Sequence, residues 1–363
     1  MRNFLKNYII TLKVLSPTFI GSGDSINKKE YIFLPHQRRA IIPNLHQLYD
    51  YLSKKGVAAA FENYLLKENI DLHIFLKQIG ITEKEYSHFS QYSVETGNAV
   101  FDTKSKKEIH TFVKDPYGNP YLPGSSLKGA LRTALLSRQV MQNQSAYDRL
   151  KNDIKGERGG SKKWFLSGQI KEVENKAFLK LPYESKRMGA EKDVLRGLRL
   201  ADSLPVSTDD LVLCQKIDVS VKGSEKPINT LRECLKPDTL IRIPLTLDEG
   251  LFPWSIEEVL KAVQSFYHQY ENNFLKAFPQ NKTYEGTLLY LGGGAGFATK
   301  TVMYPLFGKA EGLKQVTKIM EKTTPPQHHH QKDEGIGVSP HMKKCTRYAH
   351  ALHEFGACHI TIE

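Results

Sequence analysis

The segment from Tyr121 to Arg132 (YLPGSSLKGALR) constrains the fold more than any other part of this 363-residue chain. Pro123-Gly124 ends an extended stretch, and Ser125 or Ser126 carries a hydroxyl able to cap the helix that must follow. Leu127, Ala130, Leu131, Ala134 and Leu135 recur at i, i+3, i+4, i+7 and i+8, so one face of that helix packs inward. Lys128 and Arg132 lie four apart and are neighbours on a different face. Free N–H groups at a helix start, the positive end of its dipole and two adjacent cations together suit an anion. The alternative is a capped surface helix bearing two solvated charges.

Around this helix the chain mixes strand and helix signals twice. Tyr8 to Leu15 is rich in β-branched residues and reads as a strand, followed by Gly21-Ser22-Gly23-Asp24, a flexible turn, and a second apolar piece from Tyr31 to Leu34. The Gly21–Gly23 turn reads either as a plain β-connection or as a loop facing a ligand. From Pro43 to about Ile79 the period becomes helical, with Leu45, Leu48, Tyr49 and Leu52 on one stripe. Strand-like pieces return at Ala99–Asp102 and Ile109–Lys114. Lys151 to Lys163 is charged, rich in glycine and poor in large apolar residues, which predicts a mobile loop and an inter-domain boundary. Strands are expected from Leu211 to Val221, Thr239 to Leu247, Thr287 to Leu291 and Cys358 to Ile362. A helix opens at Ser255, with Glu257 and Glu258 in its first turn, and runs to about Phe274. This order lacks the regular alternation of a doubly wound sheet, so the expected class is α+β. The expected organisation is an N-terminal domain over 1–150 with a helical insertion at about 43–95, an insertion over 151–205, and a second domain over 206–363.

A second motif follows the Thr287–Leu291 strand: Gly292-Gly293-Gly294-Ala295-Gly296, with Lys300 four residues on. Glycines here let backbone N–H groups approach phosphates closely. Two mononucleotide motifs fail. Gly294 to Thr301 (GAGFATKT) has Thr299 where a phosphate-binding loop needs its second glycine, and Phe297 occupies the third small position of a dinucleotide fingerprint. A sugar–phosphate backbone fits better, with a tight turn needed only for packing as the alternative.

Charge supports a polyanionic partner. Lys and Arg number 51 against 39 Asp and Glu, a formal net charge of +12, and neutralising phosphates releases condensed counterions. Cys214, Cys234, Cys345 and Cys358 form no Cys-x-x-Cys pair, which argues against a disulfide framework or a structural zinc site. The N-terminal apolar run is broken by Lys13, and no window is apolar enough to span a membrane, so a cytoplasmic location is expected.

The string Pro123 to Arg132 resembles the signature of the CRISPR RAMP (repeat-associated) proteins, in which it starts a helix beside the guide-RNA path. The N-terminal strand with its Gly-Ser-Gly turn, and Leu198 to Ser203 (LRLADS), are similar to further blocks of that superfamily. With the late glycine loop, the pattern resembles the fifth-subunit family of type III-A (Csm) effector complexes. The matching blocks lie in both halves of the chain.

This resemblance implies two ferredoxin-like (RRM-like) domains and a guide-binding role at the guide's 3′ side, in its maturation for antiviral defence. It implies no cofactor and no nuclease site. Implied partners are the guide RNA, the repeated backbone subunit and small helical subunit of the same complex, and host nucleases. The expected RNA contacts are Gly21, Ser22, Gly23, Ser125, Ser126, Lys128, Arg132, Gly292, Gly293, Gly294, Gly296 and Lys300. The competing reading is a guide-processing endoribonuclease of the same superfamily, for which His36 or His110 would supply the general base. His328-His329-His330 sits among polar residues and reads as a solvated loop rather than a metal site. His350 and His353 are expected three apart on a helix.

Overall fold

A computed structural model describes residues 4–67, 69–96, 107–159, 161–181, 189–279, 282 and 284–363. Its strands are β1 (Leu5–Val14), β2 (Gly21–Ile26), β3 (Ile32–Leu34), β4 (Arg39–Pro43), β5 (Ser90–Glu95), β6 (Glu108–Phe112) and β7 (Leu198–Leu200) in the first part of the chain. The later strands are β8 (Leu211–Ser220), β9 (Glu225–Leu235), β10 (Leu240–Asp248), β11 (Leu288–Tyr290), β12 (Met342–Tyr348), β13 (Ala351–Glu354) and β14 (Ala357–Ile362). The helices are α1 (Leu45–Lys54), α2 (Ala58–Lys67), α3 (Leu72–Gln78), α4 (Gly124–Gln142), α5 (Asp148–Gly156), α6 (Ser167–Phe178), α7 (Ile256–Asn273), α8 (Met303–Thr323) and the single turn α9 (Asp333–Ile336). The chain is thus α+β, as its mixed signals predict.

The first sheet has the antiparallel order β11-β14-β1-β10-β7. Strict alternation decides which face it buries: Ile10, Leu12 and Val14 on β1 and Ile241, Ile243, Leu245 and Leu247 on β10 point inward, while Ile9 and Lys13 point out. The inward face packs against Leu127, Leu131 and Leu135 of α4 and Val259, Ala262 and Val263 of α7 in one core. Burying each leucine, isoleucine and valine among them contributes about 1.5–3 kcal/mol before conformational entropy is charged. α7 begins as its sequence requires: Ser255 Oγ accepts from the Glu258 N–H, and the Glu258 carboxylate accepts from the Ser255 N–H. Taken in chain order, β1, α4, β7, β10, α7 and β14 form a ferredoxin-like β-α-β-β-α-β unit.

The second sheet runs β2-β6-β9-β8-β5-β4-β3, with the hairpin β12–β13 added through β12 to β8. Neither sheet respects the expected ranges 1–150 and 206–363. β1 lies between β14 and β10, and β6 pairs with β9. Three further expectations differ from the structure. Gly21–Ser22–Gly23 is not a turn but the start of β2, which pairs with β6 across a register shift. Lys151 to Gly156 continues α5, because Leu150 and Ile154 are four apart and both bury in the main core. The strand expected at Ala99–Asp102 falls outside the described residues.

The helical period after Pro43 is real. Asn44 caps α1 by accepting from the His46 and Gln47 N–H groups, and Leu48 and Leu52 bury while Leu45 and Tyr49 stay exposed. α1 to α3 close a small core of their own, in which Tyr64 stacks on Phe75 at 4.2 Å and Ile32 and Leu34 of β3 form the floor.

One buried carboxylate joins three strands of the second sheet. Glu233 on β9 is fully buried and accepts from the Tyr92 hydroxyl at 2.6 Å, the Phe112 N–H at 2.9 Å and the Lys114 ammonium at 2.5 Å. Burial and the nearby carboxylate push the Tyr92 phenol well above its ordinary range, so it stays a donor. Glu233→Ala takes the acceptor from the Tyr92 hydroxyl and the Phe112 N–H and the counter-charge from Lys114, and is expected to cost about 3–5 kcal/mol in a urea titration. A loss below about 1 kcal/mol would show that this network does not hold the sheet.

Candidate nucleic-acid interface

The interface is built at the start of α4. The Gly124 N–H donates to Asp202 Oδ1 at 2.8 Å, and a Cβ on Gly124 would run into the carbonyl oxygens of Leu200 and Ala201. The Leu122 N–H donates to Ser203 Oγ at 2.9 Å, and the Ser203 N–H returns to the Leu122 carbonyl at 3.0 Å. The two sequence blocks around Gly124 and Asp202 are therefore one junction. The cap is Asp202, from a distant segment, rather than Ser125 or Ser126, which already lie inside the helix. Those serines are left on the face they share with Gly129, Ala130 and Thr133.

That face looks across a cleft of about 320 Å³ at Leu291, Gly292, Thr299 and Lys300. The glycine loop is held by backbone contact. The Gly293 N–H donates to the Phe19 carbonyl at 2.8 Å, and a Cβ on Gly292, whose φ is 75°, would collide with that same oxygen. The Phe19 ring lies close to both Gly21 and Gly293, where an added Cβ would stand 3.0 and 2.9 Å from it. Lys300 Nζ donates to the Gly292 carbonyl at 2.7 Å and closes the loop. The glycines allow a close approach as expected, but what approaches Gly292 and Gly293 is Phe19. Ser125 and Ser126 thus share one cleft with Gly292 and Lys300, and of the Gly21–Gly23 segment only Gly21 reaches the loop, through the Phe19 ring.

Lys128 and Arg132 do not join them. Lys128 Nζ donates to the Leu198 carbonyl at 2.8 Å, and burial lowers its pKa. Arg132 pairs with Glu174 at 3.0 Å and Asp193 at 2.8 Å, with its guanidinium over the Phe178 ring. They share a helix face, as four-residue spacing requires, but that face fastens α4 to α6, to Asp193 and to the first residue of β7.

The cation that the sequence does not reveal is Arg232. It lies on β9 with its guanidinium between the rings of Phe19, at 5.1 Å, and Phe355, at 5.6 Å. Its Nε and Nη1 have no hydrogen-bond partner among the described residues, and burial lowers its pKa. A Cβ on Gly294 would stand 2.5 Å from Nη1, so this glycine makes room for the arginine. Lys300 is pulled down by burial and then by Arg232, and Lys216 by burial and then by Lys344. One carboxylate, Asp218, pairs with both Lys216 at 3.8 Å and Lys344 at 2.8 Å, so positive charge accumulates behind the glycine loop without full compensation. On the loop's other side a wider cleft, of about 470 Å³, is lined by Gly296, Phe297, Lys226, Lys344, His328 and His341. Nothing in the alternating pattern of β9 marks Arg232 apart from its neighbours.

The histidines fall differently from expectation. His36 is exposed beside Glu83, and His110 sits half-buried on β6 opposite Ser25. His350 lies in the β12–β13 turn at a φ of 65° and His353 on β13, so no helix joins them. His330 is not solvated: it is buried against Asp333.

Residues 11–298 match the model of the RAMP superfamily. The CRISPR system protein Csm5 of Streptococcus thermophilus is 30% identical over 325 residues, covering 87% of this chain and 84% of that protein. This chain belongs to the Csm5 family of the RAMP superfamily. Csm5 of Mycobacterium tuberculosis is 29% identical over 400 residues, covering 100% of this chain and 99% of the relative. The fold is similar to a chain of a type III-A Csm–crRNA–target RNA complex (TM-score 0.66, 20% identity, 98% and 100% covered). It is also similar to the crystal structure of Csm5 from T. onnurineus (TM-score 0.60, 20% identity, 96% and 99% covered). Among the described residues no helix is long and apolar enough to cross a membrane.

Arg132→Gln separates the fastening face of α4 from the cleft face. Its ion pairs are part-exposed, so the expected loss in a thermal melt corresponds to about 1 kcal/mol. RNA affinity, read by fluorescence anisotropy, should stay within about twofold. An unchanged melt with an affinity loss beyond about tenfold would return Arg132 to the interface.

Proposed function

We propose that this chain is a guide-RNA-binding subunit of a type III-A Csm effector complex, that it holds the guide's 3′ side and supports guide maturation, and that it does not cut RNA. The observation that carries the reading is the cluster of Arg232, Lys300 and Lys216 behind the glycine loop. Burial lowers the pKa of all three, neighbouring cations lower those of Lys300 and Lys216 further, and two Arg232 nitrogens have no partner among the described residues. A phosphate chain relieves that repulsion, and a net charge of +12 draws it in. Two clefts flank the loop, so an extended strand has a groove on each side of it.

Family membership supports the same reading, since a solved structural neighbour comes from a complex that contains crRNA and target RNA. The proposed protein partners are the repeated backbone subunit and the small helical subunit, with host nucleases as transient ones. His36 and His110, the candidates for a general base, stand on separate elements without an activated nucleophile motif beside them.

Titration of a labelled single-stranded RNA against the purified chain at several salt concentrations tests this. About four to six phosphate contacts give a slope of log K against log salt of about −3 to −4. Arg232→Gln combined with Lys300→Ala should weaken binding about tenfold or more and make the slope shallower by about 1. The RNA should stay intact with Mg²⁺ and with EDTA. A flat salt response would overturn the binding site, and specific cleavage lost in His36→Ala or His110→Ala would establish the endoribonuclease instead.

A further inference from the structure

The segment after α8 brings a second chemistry to the wider cleft. Asp333, the first residue of α9, is fully buried. Its Oδ2 accepts from Ser339 Oγ at 2.6 Å and lies 2.9 Å from His330 Nδ1, and its Oδ1 lies 2.5 Å from His341 Nδ1. The Tyr304 hydroxyl fixes the same turn from below by donating to the Ser339 carbonyl at 2.7 Å. One ligand atom from each of His330, Asp333 and His341 lies within 4.8 Å of the other two, and the two imidazole centroids are 5.0 Å apart.

Charge makes this arrangement unusual for a purely structural network. A carboxylate taken fully out of water needs a compensating positive charge. Among the described residues the ionic partners of Asp333 are these two histidines alone, and neither is a permanent cation. No lysine or arginine pairs with it among those residues, although Lys226 and Lys344 line the same cleft. A dication supplies the missing charge. Two imidazole nitrogens and one carboxylate oxygen form a donor set suited to zinc and neighbouring first-row metals. The ligands are also well supported: Ser339 orients the carboxylate, and packing holds His330.

We propose that His330, Asp333 and His341 form a site for one divalent transition-metal ion of the zinc class. The metal takes the place of the protons that the two Nδ1 atoms share with the carboxylate, and each neutral imidazole then carries its proton on Nε2 instead. Three protein ligands leave a coordination position for an oxygen donor, on the side where His330 and His341 line the cleft beside Gly296.

The test uses the full chain with no affinity tag, freed of metal by chelation and titrated with Co²⁺ and then Zn²⁺. Visible absorption from nitrogen and oxygen ligation should grow to one equivalent of Co²⁺ and be displaced by Zn²⁺. His341→Ala, at the most exposed of the three ligands, should weaken Zn²⁺ binding at least about 100-fold by calorimetry, while His46→Gln on α1 leaves it unchanged. Should His341→Ala fail to fold, the wild-type Co²⁺ titration decides the matter. A featureless spectrum or no saturation at one equivalent would overturn the site. So would equal affinity in folded His341→Ala, or the same loss in His46→Gln.

Discussion

The contact between Gly124 and the Leu200–Asp202 backbone is the constraint on which the interface depends. It is a steric fact before it is an attractive one: no side chain fits where the first turn of α4 meets those carbonyls. The Asp202 carboxylate then secures the junction by accepting the Gly124 N–H, a charge-assisted bond at the positive end of a helix. Because Leu200 also pairs with Leu245 on β10, the helix start is referenced directly to the central strands. The position of Ser125 and Ser126 follows from that reference, and with it the near wall of the cleft. The far wall is referenced to the same sheet through β11, whose Tyr290 pairs with Ala357 just before the glycine loop begins.

Much of the local structure was legible because it rests on near-neighbour rules. The alternation in β1 and β10, the capping box at Ser255 and the inward stripe of α4 all involve residues within a few positions of one another. What failed to show in the sequence depends on partners far along the chain. Lys128 and Arg132 were correctly placed on one face, yet their role turns on Leu198, Glu174 and Asp193, which only tertiary structure supplies. The glycine loop signalled close approach, and spacing alone cannot say whether a phosphate or the Phe19 backbone is what approaches. The charged run at Lys151 hid a two-residue apolar stripe, too short to register against its lysines and glycines. Arg232 and Asp333 were invisible for a related reason: a side chain's burial and lack of compensation are properties of the space around it.

The interface and the histidine cluster share a wall, and this ties their physical behaviour together. Gly296 and Phe297 continue directly from the loop that Phe19 holds, and they face His328 and His341 across the wider cleft. A shift in the Phe19 contact therefore moves one boundary of both spaces. Rigid packing transmits such displacements rather than absorbing them. Gly294, confined between the Arg232 guanidinium and the Phe355 ring, leaves the loop little freedom to decouple the two.

The placement of β1 between β14 and β10 has a consequence for how the molecule comes into being. Leu12 is hydrogen-bonded into register beside Ile360 on one side and Ile241 on the other, so β1 waits for a strand made long after it. At ribosomal rates of about 5–20 residues per second, that wait lasts roughly 20–70 s. During it an edge rich in isoleucine and leucine lacks its β14 neighbour and is open to strand pairing with other chains. The nascent chain thus carries an incomplete sheet until β14 has been made, and the cleft beside the glycine loop, referenced to β14 through β11, is completed only then.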